Sequence, residues 1–365
     1  MIIHKPKIKK EDGRICVSSF IEVESDESLS DTLWFKFPED HEKFVSDNSN
    51  GFVVAMLPLA MSLGEDIKVK GRMSSKLAYG LKQYQGYFNF WFPDNLKIVN
   101  IICDDFESEN KIDVKGVVCS FSGGVDSFYT LYSHLPENEK DIRHQISHCL
   151  FVHGFDIPLN DKKSYDLAKN SYEKLANKLK IKLISTSTNI RDLLDKKISW
   201  EITHGAALAS VALTLSNLIS RFYIASSRSI IAWGSNPITD SLLSTEKLEF
   251  LNYRSYETRI NKTRMIAHYP ETYDNLRVCW ERPDGLKNCC RCEKCIRTMV
   301  TLELMGVLSK YKTFPKPLTR EKVKNWPLKK ENEIRFAKEI QEYALRKGRK
   351  DLEKDILIAI KNYKC

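Results

Sequence analysis

Hydrophobic and polar residues follow two different patterns along the chain. In residues 1–112, short strand-like runs such as Ile15–Val23 mix with helical runs such as Phe52–Leu63, which predicts a smaller α+β domain. From residue 113 to 309, apolar β-branched segments alternate with amphipathic helices, beginning with the strand Val114–Phe121. That alternation is typical of βαβ units, so it predicts an α/β domain with a doubly wound parallel sheet.

Three further segments complete this outline. An aromatic run, Tyr84–Phe92, follows a helix predicted at Ser74–Gln83, and it fits a core or domain interface better than a ligand-stacking surface. The acidic, polar stretch Asp104–Asp113 predicts a linker. The last part of the chain, 310–365, is basic and predicted to be helical.

Composition fits a folded protein and locates its excess charge. Apolar residues make up 42% and charged residues 29%, which argues against wholesale disorder. The net charge is +9, and residues 310–365 alone hold 17 Lys/Arg against 8 Asp/Glu. A solvated helical face explains this surplus, and so does a surface for RNA or an acidic protein partner. The longest apolar stretch, Gly51–Leu63, is too short to span a membrane, and the N-terminus lacks a signal peptide's apolar run, so we expect a cytoplasmic protein.

The most specific motif is a Gly-rich turn, SGGVDS, between a strand and a helix. Its two glycines let the backbone approach an anion closely, and the N–H groups of a helix N-terminus bind phosphate. Asp126 can cap the helix or face a Mg²⁺ that accompanies the phosphates. An ordinary capped junction is the alternative. We predict a phosphate site formed by Ser122, Gly123, Gly124, Val125, Asp126 and Ser127.

SGGVDS resembles the SGGxDS signature of the PP-loop ATP pyrophosphatases, the adenine-nucleotide α-hydrolase-like group with a HUP-like fold. The resemblance implies that ATP binds with Mg²⁺ and is cleaved between its α and β phosphates. A substrate oxygen attacks the α-phosphorus, and ammonia, an amine or a sulfur donor then displaces AMP. It also implies that the backbone at Val152 and His153 contacts the adenine, although a His153 that is only solvated or hydrogen-bonded is the alternative.

A cysteine cluster lies downstream. Cys289, Cys292 and Cys295 follow a C-x₂-C-x₂-C spacing, and Cys279 precedes them. Four thiolates suit tetrahedral Zn²⁺, so we predict a structural zinc knuckle bound by these four residues. The fifth thiol, Cys290, is the least suited to bind. An iron–sulfur cluster on three of the cysteines and redox-active thiols are the alternatives.

The combination of the two motifs resembles the 7-cyano-7-deazaguanine synthase (QueC) family over about residues 114–305. That implies an adenylating C–N ligase that joins ammonia to a carboxylate or amide of a deazapurine-type acceptor. Two segments depart from the family's pattern. Thr203-His204-Gly205 stands where the family has an Arg-Asn pair, and Trp233–Asp240 replaces its substrate-reading stretch. ATP chemistry and zinc are therefore implied more firmly than the acceptor.

Several other side chains are candidates for this chemistry. Arg259 or Arg254 can supply positive charge at the α-phosphorus, Asp240 can accept hydrogen bonds from a purine-like substrate, and His204 can contact the nucleotide. Solvated surface, helix capping and helix-end packing are the respective alternatives. We predict Asp126 and Arg259 as the catalytic residues. A tRNA-modifying sulfur transferase, and a nucleotide-binding regulatory or conjugation protein acting on a protein partner, are the alternative functions.

Overall fold

The computed structural model describes residues 1–103, 105–107, 116–227, 232–279, 281 and 285–363. Most of the predicted linker Asp104–Asp113 and the start of the predicted strand at Val114 lie outside these ranges. The chain forms two compact units. Unit 1 comprises Met1–Ser120, Ser133–Asn160 and Lys180–Tyr256, and unit 2 comprises Phe121–Tyr132, Asp161–Leu179 and Glu257–Cys365. The predicted domains 1–112, 113–309 and 310–365 differ from these units and stay predictions.

Unit 1 contains a mixed, mostly parallel sheet with eleven strands among the described residues. The strands are β1 (Ile2–Ile3), β2 (Lys7–Glu11), β3 (Arg14–Glu22), β4 (Asp31–Pro38), β5 (Ile67–Val69), β6 (Ile101–Cys103), β7 (Gly116–Ser120), β8 (His148–His153), β9 (Lys182–Thr188), β10 (Ile219–Ala225) and β11 (Glu249–Tyr253). Their order is β11-β10-β7-β8-β9-β4-β3-β1-β5-β6, with β2 paired to β3.

The five strands from β7 to β11 are all parallel to their neighbours within this group. Read from the opposite edge, their order is β9-β8-β7-β10-β11, which is the 3-2-1-4-5 order of doubly wound sheets. The order reverses beside β7, the strand that leads into the SGGVDS turn. The α/β class and a mostly parallel sheet are therefore confirmed.

The N-terminal strands belong to the same sheet. β4 pairs antiparallel with β9, with Phe35 opposite Thr188. The Trp34 amide also donates to the Asn189 side chain at 3.0 Å, across 155 residues of sequence. A pairing between such distant segments cannot be predicted from a local hydrophobic pattern. The sequence therefore does not indicate that residues 1–103 extend this sheet.

Twelve α-helices lie within the described residues. They are α1 (Asn50–Leu63), α2 (Ser75–Trp91), α3 (Val125–Ser133), α4 (Lys162–Lys178), α5 (Ile190–Leu194), α6 (Trp200–Thr214), α7 (Arg259–Ile266), α8 (Thr272–Asn275), α9 (Glu293–Leu304), α10 (Arg320–Lys324), α11 (Glu331–Arg346) and α12 (Lys350–Tyr363). Helix α2 runs past its predicted end at Gln83 and includes most of the aromatic run. Tyr84 and Phe88 are buried one turn apart, whereas Phe90 is 79% exposed, so only one face of the run is core. No described helix combines the length and the apolar character that crossing a membrane requires.

Unit 2 has its own hydrophobic cluster, to which Ile260 of α7, Ile296 of α9 and Ile334 of α11 belong. The C-terminal region, predicted to be helical over Arg335–Lys364, forms α11 and α12 with a break at Gly348. The apolar faces of both helices are buried in this cluster. The basic C-terminal helices are therefore an integral part of unit 2.

Candidate functional site

The Ser122–Ser127 turn follows β7 in the chain and leads into α3. Gly123 has a φ of +73°, a conformation that residues with a side chain rarely adopt. A Cβ at this position would lie 1.9 Å from the hydroxyl oxygen of Tyr172. That hydroxyl donates a hydrogen bond of 3.2 Å to the Ser122 carbonyl. Glycine is therefore required here both by the backbone conformation and by the packing.

Hydrogen bonds hold the carbonyl groups of the turn. The Arg277 amide donates to the Gly123 carbonyl at 2.8 Å, and the Ser127 hydroxyl donates to the Gly124 carbonyl at 3.0 Å. In the described part of the chain, no hydrogen bond is donated by the backbone N–H groups of Gly123, Val125 or Asp126. The turn thus presents donors to a ligand at the N-terminus of α3, where the helix dipole favours negative charge.

Asp126, in the first turn of α3, is paired with two cations from α7. Its carboxylate lies 2.9 Å from the Arg259 guanidinium and 3.3 Å from the Lys262 ammonium. The Thr258 side chain caps α7, which begins at Arg259. Because Lys262 is three residues after Arg259, the two cations lie about one turn apart on one face of this helix. Only 2% of the Lys262 side chain is exposed. Burial raises the pKa of Asp126, but the charges of Arg259 and Lys262 outweigh it and hold this pKa below its ordinary value. Asp126 is therefore ionised at neutral pH.

A second ion pair belongs to the same group of charges. Arg297 of α9 lies 3.4 Å from Glu293, and its guanidinium is 4.3 Å from the Phe336 ring. Burial and the positive charge of Arg259 together lower the pKa of Arg297 to about 10. We call Asp126, Arg259, Lys262, Glu293 and Arg297 the Asp126 cluster. It contains three cations and two carboxylates, so it has an excess of positive charge for an anionic ligand.

The other predicted nucleotide contacts belong to unit 1. Val152 and His153 end β8 and are 6% and 7% exposed. The His153 Nε2 donates to the Pro158 carbonyl at 2.9 Å, and the Gly154 amide donates to the Ile157 carbonyl at 2.9 Å. The turn after β8 is thus closed by its own hydrogen bonds, and an adenine contact there stays a prediction.

His204 and Asp240 also have partners within unit 1. The His204 Nδ1 lies 3.2 Å from the Trp200 carbonyl, and burial lowers the pKa of this imidazole. Asp240 is fully buried and accepts hydrogen bonds of 2.7 Å from both Ser235 and Asn252. Burial raises the pKa of Asp240 to about 6. These contacts fit structural roles, and a ligand contact by either residue stays a prediction.

The four predicted zinc ligands come together. The sulfur atoms of Cys279, Cys289, Cys292 and Cys295 all lie within 4.8 Å of one another. Two of the sulfur–sulfur distances are 3.9 Å and 3.7 Å. Four thiolates at Zn–S bonds of 2.3 Å would be about 3.8 Å apart in a tetrahedron, so the set fits zinc. The amides of Cys289 and Cys292 donate to cluster sulfurs at 3.3 Å, which would stabilise thiolate charge.

Cys290 is outside this set, as predicted. Its thiol is buried and donates to the Asn288 carbonyl at 3.3 Å, and burial raises the pKa of the thiol. Pro283 and Asp284, which the sequence places in the loop between the ligands, lie outside the described residues. The cluster can therefore hold a metal such as zinc without the fifth cysteine.

Sequence reasoning assigned no role at the phosphate turn to Lys262 or Arg297. Lys262 is three residues after Arg259, and Arg297 is four residues after Glu293, so helical spacing was an available clue. A third missed residue is Arg277, which is 7% exposed and whose backbone amide donates to the Gly123 carbonyl of the turn. A scan against protein-family models and searches of curated proteins and solved structures find no match to the chain.

Proposed function

We propose that the protein is an ATP-dependent enzyme that forms AMP and pyrophosphate by adenylating a carboxylate or amide for attack by ammonia or an amine. The observation that carries this proposal is the ionised Asp126, held by Arg259 and Lys262 beside a glycine turn with unpaired N–H groups. The turn also leads directly into α3, and the N–H groups at the start of a helix suit phosphate. The resemblance of SGGVDS to the PP-loop signature supplies the reaction class.

The reaction would proceed in two steps. An oxygen of the acceptor carboxylate attacks the α-phosphorus of ATP, and the bond from that phosphorus to the bridging oxygen breaks, which releases pyrophosphate. The nitrogen nucleophile then attacks the acyl carbon, loses a proton and displaces AMP, which retains the acceptor's oxygen. Both leaving groups are anions, so preorganised positive charge lowers the barrier.

The described residues suit distinct roles in this scheme. The amides of the Ser122–Ser127 turn would bind phosphate oxygens, and Arg259 would neutralise charge that develops at the α-phosphorus. The Asp126 carboxylate is an oxygen ligand of the kind that Mg²⁺ prefers, and this ion would share the charge of the pyrophosphate. Val152, His153, His204 and Asp240 stay proposed contacts of the nucleotide or acceptor.

The cysteine cluster favours a ligase over a cluster-dependent sulfur transferase. Four protein thiolates fill a tetrahedral site, which is the arrangement of structural zinc rather than of a metal that must bind substrate. The acceptor would be a deazapurine-type carboxylate or amide. An RNA or protein partner for the basic C-terminal helices, and a cytoplasmic location, stay predictions.

Product analysis tests this proposal. The protein would be incubated with Mg²⁺, ATP, ammonium and a 7-carboxy-7-deazaguanine acceptor, and the nucleotides separated by chromatography. We expect AMP and pyrophosphate in equal amounts. ADP and phosphate as the only products would contradict the proposal. The same assay compares two variants, Asp126→Asn and its matched control Asp274→Asn. Asp274 is an exposed aspartate of unit 2 that pairs with Lys312.

A further inference from the structure

We propose that the zinc knuckle sets the anion affinity of the Asp126 cluster through helix α9, so that metal binding and polyphosphate binding stabilise each other. This inference rests on the proposed function only for its anion site. The knuckle would thus have a regulatory effect on ligand binding in addition to stabilising the fold.

Helix α9 belongs to both sites. Cys292 is the residue that precedes the helix, and Cys295 lies in its first turn. Glu293 and Arg297 lie one turn apart on a single face, whereas Cys295 and Arg297 are two positions apart and therefore project from different sides. The same first two turns thus supply two thiol ligands and two charges of the Asp126 cluster.

The position of Arg297 depends on α9 itself. The residue is 4% exposed, and its Nε faces the Glu293 carboxylate at 3.4 Å. Its guanidinium is held by the ring of Phe336 at 4.3 Å and by the ion pair with Glu293 on the same helix. Because its backbone and its partner Glu293 both lie on α9, a movement of the helix start displaces this cation relative to Phe336 of α11. Helix α9 also packs against α7, which carries Arg259 and Lys262, through Ile296 and Ile260 of one hydrophobic cluster, so such a movement changes the positive field at the turn.

The metal would fix the helix start. Two ligands in the loop, Cys279 and Cys289, would be tied through the ion to Cys292 and Cys295 at α9. Without the ion, four thiol groups within 4.8 Å of one another lose the charge that binds them together. The first turn of α9 would then be less constrained, and Arg297 would contribute less to anion binding. Linkage requires the reciprocal effect, because an anion that needs the ordered helix also stabilises the metal.

The experiment measures zinc release from the full-length, zinc-loaded protein to a chromophoric chelator. Inorganic pyrophosphate is the probe, with Mg²⁺ in excess, and calorimetry confirms whether it binds. We expect pyrophosphate to slow zinc release by about tenfold, a typical coupling. Arg297→Met should abolish the effect, and Arg297→Lys should retain part of it. Arg291→Met, at an exposed position beside the ligands, is the matched control and should behave like the unmodified chain.

Two results would overturn the inference. One is bound pyrophosphate with no change in zinc release, and the other is the absence of pyrophosphate binding. The unmodified chain supplies both readouts, so the test stands even if a variant misfolds. The proposed function is judged separately by AMP formation. If pyrophosphate slows zinc release but no AMP is formed, this inference stands and the ligase proposal is overturned. If AMP is formed but pyrophosphate does not affect zinc release, the ligase proposal stands and this inference is overturned.

Discussion

Two aspartates are predicted ligand contacts, the partly buried Asp126 of unit 2 and the fully buried Asp240 of unit 1, and their surroundings differ. Asp126 faces two cations, which hold its pKa below the ordinary value despite burial. Within the described residues, Asp240 accepts hydrogen bonds from hydroxyl and amide donors, such as Ser235 and Asn252, and burial raises its pKa to about 6. Asp126 is thus an anion stabilised by neighbouring cations, whereas the charged form of Asp240 is destabilised by burial.

The difference shows what distinguishes a charge used for binding from one used for structure. An ionised carboxylate beside surplus cations can exchange partners when a metal or phosphate arrives. A fully buried carboxyl whose oxygens already accept three hydrogen bonds has little to offer a ligand without breaking them. We therefore rank Asp126 above Asp240 as the candidate functional residue, and the following changes test that ranking.

The largest effect should come from the zinc ligands, which lie in the same unit as Asp126. Cys289→Ser removes one of four ligands from a site whose binding free energy is on the order of 10 kcal/mol, so we expect loss of bound zinc and a lower melting temperature. Metal analysis by mass spectrometry measures the first effect and calorimetry the second. Cys290→Ser is the matched control, and a similar loss of zinc from it would show that the ligand set is wrong.

The second-largest effect should come from the substitution Asp126→Asn. Loss of the carboxylate removes a proposed metal ligand and one ion-pair partner of the buried Lys262. We expect turnover to fall by about a thousandfold and the free energy of unfolding by about 3 kcal/mol. Steady-state AMP formation and urea unfolding measure these changes. The turnover of Asp240→Asn should stay within about tenfold of that of the unmodified chain. An equal loss of turnover in both variants would contradict the ranking of Asp126 above Asp240.

The pH dependence of stability should have opposite signs at the two sites. Asp240 has a raised pKa, so it favours the folded state below about pH 4, and this contribution is lost as the pH rises through about 6. The difference in unfolding free energy between the unmodified chain and Asp240→Asn should therefore shrink by about 3 kcal/mol from pH 4 to pH 7. Asp126 has a lowered pKa, so its contribution is present above about pH 4 and is lost only on further acidification. Urea unfolding from about pH 2 to about pH 7 measures both differences, the Asp126 difference below about pH 4 and the Asp240 difference above it, and slopes of the same sign would contradict the assignment.

The smallest expected effect is a difference in stability between alanine substitutions at the two glycines of the turn. Gly123→Ala forces a side chain into a positive φ and against Tyr172, so we expect a loss of about 2 kcal/mol in stability. A Cβ at Gly124 would meet the Ser122 hydroxyl at 3.3 Å, so Gly124→Ala should cost less than about 1 kcal/mol. Thermal unfolding distinguishes them, and the reverse order would mean that the turn is built differently.

Local features of the sequence predicted the site better than its surroundings. The strand, glycine turn and helix at Ser122–Ser127 follow from backbone preferences, and the four cysteines follow from ligand spacing. The partner of Asp126 could not be found in this way, because Lys262 is 136 residues away in the chain. The same limit applies to β4 beside β9. β11 (Glu249–Tyr253) was missed for another reason, since it lies in a polar segment without a hydrophobic run.

The most direct test of the central claim is calorimetric titration with Mg²⁺ and the ATP analogue that has a methylene bridge between its α and β phosphates. This analogue binds without being cleaved at the bond in question. We predict saturable binding to the unmodified chain, at least tenfold weaker binding to Asp126→Asn, and little change for Asp240→Asn. No binding to the unmodified chain, or equal weakening in both variants, would contradict the account.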